Sequence, residues 1–208
     1  IAEGSMLPSG KMPYEVFIPA YRDEILSDTV MVYGNVDEVE LVLNGKTIRR
    51  QTADKGPDSD YIPVPNGGNG KNLHFPPFTF YGVSKERGIL KAVGYHQGKK
   101  VAEYTVKTPG VPERLDITYF ESGKPATKND LLIVYVRMLD KQGVLCPVNG
   151  IPVELSVQGG EIVGPTSYPL EAGVASFLVR TGEISKINIR AISKEFSTYK
   201  KIKIKNSL

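Results

Sequence analysis

The chain has 208 residues, 40% hydrophobic and 24% charged, with a formal net charge of +3, which are ordinary values for a folded globular protein. They exclude collagen-like, low-complexity and disulfide-rich classes: Cys146 is the sole cysteine, and no apolar stretch nears the ~20 residues of a membrane helix. The charge is uneven, with 13 basic and 13 acidic residues in the first 110 positions against 13 and 10 in the rest. This length suits one large domain or two of about 100 residues.

Period-2 alternation of apolar and polar residues, the mark of a half-buried strand, recurs along the chain. Tyr14–Ile18 is a weak strand and Thr29–Tyr33 a clearer one. In Val39–Leu43, residues 39, 41 and 43 share a face. Asn44-Gly45 follows, a dipeptide that accepts the positive φ angles of a type I′ hairpin turn. Thr47–Arg49 is the return strand. Residues 51–77 carry Gly56-Pro57, Pro63, Pro65 and Asn66–Gly70 and read as a long irregular excursion, a kind of segment that is usually functional or mobile. A second hairpin spans Gly88–Val106 and turns at His96–Lys99.

Thr108–Pro112 reads as a linker, because its two prolines remove backbone donors and neither sheet can run through it. Strands resume at Arg114–Tyr119, Leu131–Leu139, Pro152–Gln158, Ala175–Arg180, Lys186–Ile192 and Thr198–Ile204. Turn signals at Asp140–Gly143, Gln158–Gly160 and Glu171–Gly173 separate several of them. Ile202 and Ile204 alternate with Lys201, Lys203 and Lys205, which predicts buried isoleucines and solvated lysines on a sheet edge. No aromatic alternates with these lysines to stack a base, so no nucleic-acid partner is expected. The expectation is an all-β protein of two tandem immunoglobulin-like β-sandwiches, residues 1–110 and 111–208.

Residues that carry chemistry are sparse. One cysteine and two distant histidines, His74 and His96, do not make a metal site, so neither a metal nor a cofactor is expected. The glycines at 67, 68 and 70 lack the spacing of a phosphate loop, since Pro65 and Asn72 occupy its required Gly and Ser/Thr positions. Carboxylates cluster as Asp37, Glu38 and Glu40 and as Asp54, Asp58 and Asp60, and paired carboxylates are what glycoside hydrolysis needs. However, Glu40 points away from Val39 and Leu41, as a solvated-face residue does. The chain has no tryptophan, so a sugar platform would rest on Tyr61, Phe75, Phe78 and Tyr81 around the long loop. Phe78 and Phe80 are expected in the core.

Val30–Lys46, Phe75–Phe80, Gly88–Tyr95, Gly98–Ala102 and Thr108–Gly110 together resemble a segment that follows the catalytic barrel of bacterial glycoside hydrolase family 2 proteins, many of them β-galactosidases. Leu139-Asp140, Val157–Gly159 and Glu171–Ala175 resemble bacterial invasin-type immunoglobulin-like repeats. The resemblance implies a C-terminal accessory region with no catalytic residue of its own, since the family's two glutamates lie on the barrel. It implies that barrel as partner and a periplasmic or extracellular bacterial location; polysaccharide is the partner in a carbohydrate-binding alternative, and the absence of a long apolar stretch predicts no membrane span. Tyr21 takes the place of an aromatic that relatives carry before the first strand. Tyr21, Tyr61, His74 and Phe75 are thus the candidate sugar contacts. A carbohydrate-binding module and an adhesion or subunit-association module are the alternatives. A chain beginning at Ile1 rather than Met is expected of a piece of a longer protein.

Overall fold

The computed structural model describes residues 13–18, 28–54, 75–120 and 126–205, and every regular element among them is a β-strand. The chain divides into two compact units, Ile1–Thr108 and Pro109–Leu208.

The first unit contains β1 (Val16–Phe17), β2 (Val30–Gly34), β3 (Glu38–Leu43), β4 (Lys46–Thr52), β5 (Phe78–Phe80), β6 (Ile89–His96) and β7 (Lys99–Lys107). Two antiparallel sheets, β1-β2-β5 and β4-β3-β6-β7, enclose its core. Alternation decides which side chains point inward. Val39, Leu41 and Leu43 of β3 are buried, as are Val30 and Val32 of β2 and Leu90 and Ala92 of β6. Phe78 and Phe80 are fully buried, as their apolar bulk required. Each such side chain contributes roughly 1.5–3 kcal/mol of burial. Asn44 and Gly45 have φ of 51° and 81°, the left-handed pair of the expected hairpin turn. Asn44 also accepts the Ile89 N–H at 2.9 Å and donates to the Arg87 carbonyl at 3.1 Å, tying the turn to the start of β6. Gly88 is required there: its φ is 141°, and an added Cβ would lie 1.9 Å from Asn44 Oδ1.

The second unit contains β8 (Arg114–Tyr119), β9 (Leu131–Leu139), β10 (Pro152–Gln158), β11 (Gly160–Ile162), β12 (Ser167–Pro169), β13 (Val174–Thr181), β14 (Lys186–Ser193) and β15 (Phe196–Lys203). Its sheets are β11-β13-β9-β8 and β12-β10-β14-β15. Val134, Val136 and Met138 of β9, Val153 of β10, Val179 of β13 and Ile187 and Ile189 of β14 are fully buried between them. Ile202 and Ile204 join this core while Lys201, Lys203 and Lys205 stay exposed.

The two units share one strand order. In each, the first, second and fifth principal strands form one sheet (β1-β2-β5; β8-β9-β13), and the third, sixth and seventh form the core of the other (β3-β6-β7; β10-β14-β15). This is the Greek-key arrangement of an immunoglobulin-like sandwich. The chain is therefore all-β, with two tandem sandwiches. Three strands were not legible as such. β5, β11 and β12 are three residues each, too short to show a period, and β5 directly follows Pro76-Pro77.

Asp140 fixes the entry to the second unit. Its carboxylate is buried and accepts backbone N–H groups from Gly110 at 2.7 Å and from Gln142 and Val144 at 2.8 Å each. The Gly110 bond is the largest of the causes that hold its carboxyl below the ordinary value of 3.8.

Candidate functional site

Of the sugar-contact candidates, Tyr21, Tyr61 and His74 lie outside the described residues, as do Asp58 and Asp60. Phe75 is half exposed, three residues before β5. The described carboxylates of the two acidic clusters are engaged in building the fold. Asp54 accepts the Thr79 hydroxyl at 2.5 Å and the Thr79 N–H at 3.1 Å, which anchors β5. Asp37 accepts the Gln97 N–H at 2.7 Å and meets His96 Nδ1 at 3.0 Å, closing the β6–β7 turn. These two bonds, Gln97 first, hold its carboxyl below the ordinary range. The His96 ring in turn stacks on Tyr14 at 4.7 Å.

The outward face of β4-β3-β6-β7 carries a polar ladder set by cross-strand register. Glu40 stands opposite Arg50 on one side and Val93 on the other, and Glu38 stands opposite Tyr95. Glu40 accepts the Thr47 hydroxyl and the Tyr95 phenol, each at 2.7 Å. Those two bonds, Thr47 first, hold the Glu40 carboxyl low, and the bond to Glu40 pushes the Tyr95 phenol up. The Arg50 guanidinium lies 3.7 Å over the Tyr95 ring and pairs with Glu38 at 2.5 Å. Glu103 bridges Lys100 at 2.6 Å and Lys91 at 3.3 Å, and Lys100 is the main cause of its lowered pKa.

A concavity of about 550 Å³ opens on this face, lined by residues including Val42, Asn44, Thr47, Lys91, Tyr95 and Glu103. Its charged side chains bond to one another, which makes it a self-satisfied surface. A general acid needs a carboxyl whose pKa is raised, whereas Glu40 and Glu103 are both lowered. Among the described residues no three His, Cys, Asp or Glu side chains converge as a metal site would require.

The second unit has two contrasting outward faces. On β11-β13-β9-β8, Phe120, Ile133, Leu178 and Val163 form one apolar row across four strands. Phe120 N–H donates to the Ile133 carbonyl, Ile133 pairs with Leu178, and Val163 N–H donates to the Leu178 carbonyl. Phe120 is 58% exposed and Ile133 42%. The row is flanked by two ion pairs, Arg137–Asp116 and Arg180–Glu161. On β12-β10-β14-β15 the outward residues include Lys186, Arg190, Tyr199, Lys201 and Lys203. The lysine alternation was legible in the sequence. The two faces, which depend on register between distant strands, were not.

Comparison with known proteins places this architecture. Residues 27–102 match a domain family of unknown function, DUF4982. The chain is 30% identical over 176 residues to a β-galactosidase of Thermoanaerobacter pseudethanolicus, covering 79% of this chain and 22% of that protein. It is 32% identical over 133 residues to β-galactosidase BoGH2A of Bacteroides ovatus, covering 63% of this chain and 13% of that protein. The structure of a β-glucuronidase from glycoside hydrolase family 2 superposes with a TM-score of 0.70 at 20% identity, over 93% of this chain and 20% of that one, a likeness of fold. The chain thus spans about a fifth or less of the length of these proteins, and it is homologous to a portion of glycoside hydrolase family 2 β-galactosidases, with a DUF4982 domain in its first half.

Proposed function

We propose that the chain is a non-catalytic accessory region of a family 2 β-glycosidase, a scaffold or spacer for a catalytic barrel carried elsewhere in the parent protein. The observation that carries this reading is the asymmetry of coverage: most of this chain aligns with a small fraction of a β-galactosidase. The state of the carboxylates supports it. Glycoside hydrolysis needs two carboxyl groups flanking the bond, one with a raised pKa. Asp37, Glu40, Glu103 and Asp140 are all held low by hydrogen bonds within the fold.

In this reading the parent hydrolyses a β-galactoside or related β-glycoside and acts in the periplasm or outside the cell. The row Phe120–Ile133–Leu178–Val163 faces the remainder of that parent, which in the relatives amounts to roughly four-fifths or more of the chain. An apolar row flanked by mutually neutralised ion pairs suits a neutral protein surface. Assay of the chain with nitrophenyl β-galactoside and β-glucuronide tests the proposal. The expected result is no release above buffer; saturable turnover by the purified chain overturns it.

A further inference from the structure

The ion pairs of the described residues follow a pattern. Arg50, Lys91 and Lys100 on the first unit's outward face each meet a glutamate, and Arg137 and Arg180 on the second unit's apolar face each meet an acid. The β14–β15 side of β12-β10-β14-β15 differs in that several exposed cations without ion pairs among the described residues stand next to one another. Lys186 stands directly opposite Lys203, Asn188 opposite Lys201, and Arg190 opposite Tyr199. All four cations are exposed, and none forms an ion pair among the described residues. Like charges directly opposite on adjacent strands destabilise a sheet, so the Lys186–Lys203 pair is a cost to the fold unless an anion lies over it. Glu154, on the neighbouring β10, pairs with Ile192 at the end of β14 remote from Lys186, and Glu195 sits in the β14–β15 turn at that same end. Lys205 extends the row beyond β15, exposed like the others.

From this geometry we infer that the β14–β15 face is a binding surface for an acidic polysaccharide, one bearing carboxylates or sulfates along its length. Successive outward residues of a strand stand about 7 Å apart, so Lys201 and Lys203 stand in line on β15, with Lys186 and Arg190 beside them and Lys205 just beyond the strand's end. A flat rank of cations fits an extended chain whose charges recur along one edge. Tyr199, 59% exposed beside Arg190, offers one ring face to a sugar, and its hydroxyl is bonded to Asn188 Oδ1 at 2.6 Å. A single aromatic does not make the series of stacking platforms that single-stranded nucleic acid uses. The choice of a glycan rests on the glycosidase reading above; the cation rank does not.

The test is a titration of the whole chain with polygalacturonate, with neutral galactan and with oligothymidylate as comparators. The expected result is binding to polygalacturonate that weakens about tenfold between low and physiological salt, as screened charge contacts do. Galactan should bind at least about tenfold more weakly on the same charge argument. The double variant K201E/K203E should lose at least about tenfold in affinity. K99E/K107E, which makes the same change in net charge on exposed residues of the first unit, should bind as the native chain does. Absence of polygalacturonate binding overturns the inference, and so does an equal loss in both variants. Oligothymidylate binding as tightly overturns the assignment to a glycan. Failure of the glycosidase reading shows separately, as absence of turnover by the parent protein, an experiment that does not involve these lysines.

Discussion

The two sandwiches share a strand order and differ in what they do with charge. In the first unit most charges on the outward face of β4-β3-β6-β7 are paired: Arg50 takes Glu38, Glu40 takes Thr47 and Tyr95, and Glu103 takes both Lys91 and Lys100, with Lys107 exposed at the end of β7. In the second unit the equivalent sheet sets Lys186 against Lys203 and leaves both exposed. The frame is dictated by inward residues, which are mainly valine, isoleucine, leucine and phenylalanine in both units. Outward residues are nearly free of that constraint, so what each unit can bind is written there. A shared fold therefore says little about shared function.

Removing an inward side chain probes the frame and gives the largest expected effect. Phe78→Ala should cost the first unit about 3–5 kcal/mol and Ile189→Ala the second about 2–5 kcal/mol, since both residues are fully buried. Urea unfolding followed by residue-resolved NMR should show each variant lowering the midpoint of its own unit. A substitution that shifted both units equally would break the picture of two independent cores.

Acid should separate the units next. Asp140 has a folded pKa below its ordinary value of 3.8, so its bonds stabilise the second unit above that value and are lost as pH falls toward the depressed one. Asp140→Asn should therefore lower the melting temperature of the second unit at neutral pH and flatten its acid limb below about pH 4. The first unit should keep its own acid limb, to which Asp37, Glu40 and Glu103 contribute in the same direction. Thermal melts from pH 7 to pH 2.5 check this, and an unchanged acid limb in the second unit would count against Asp140 as its source.

The outward faces should respond least in stability. Ile133→Ser should alter the stability of the isolated chain by no more than about 0.5 kcal/mol, as exposed positions do. In the full-length parent, where the proposal has the apolar row facing the rest of the protein, it should cost more. Glu40→Gln should also be nearly silent in stability, within about 0.5 kcal/mol. It should nonetheless bring the Tyr95 phenol down toward its ordinary value of 10.0, because the bond to Glu40 is the chief cause of its rise. A residue-resolved NMR pH titration of the native chain and the variant reads that shift, and an unmoved Tyr95 would show that the ladder is not formed in solution.

Much of the frame was legible from sequence because its signals are local. Val39–Leu43 followed by Asn44-Gly45 specifies a strand and its turn within seven residues, and Ile202 and Ile204 announce their burial by alternating with lysines. The surfaces were illegible for the opposite reason. Phe120, Ile133, Leu178 and Val163 are spread over nearly sixty positions and meet only through the register of four strands. Lys186 and Lys203 likewise lie seventeen positions apart and become neighbours through the β14–β15 pairing. The acidic cluster at Asp37–Glu40 looked like the sharpest chemistry in the sequence, yet His96, Gln97, Thr47 and Tyr95 engage its carboxylates from other strands and turns.

In the proposed parent glycosidase the reacting carboxylates lie outside this chain, and a mechanism-based 2-deoxy-2-fluoro glycoside reports their location. Incubated with the full-length parent and digested for mass spectrometry, the reagent should leave its glycosyl label on a peptide outside these 208 residues, and the chain incubated alone should gain no mass. A label on any Asp or Glu within the chain would contradict the account at its centre.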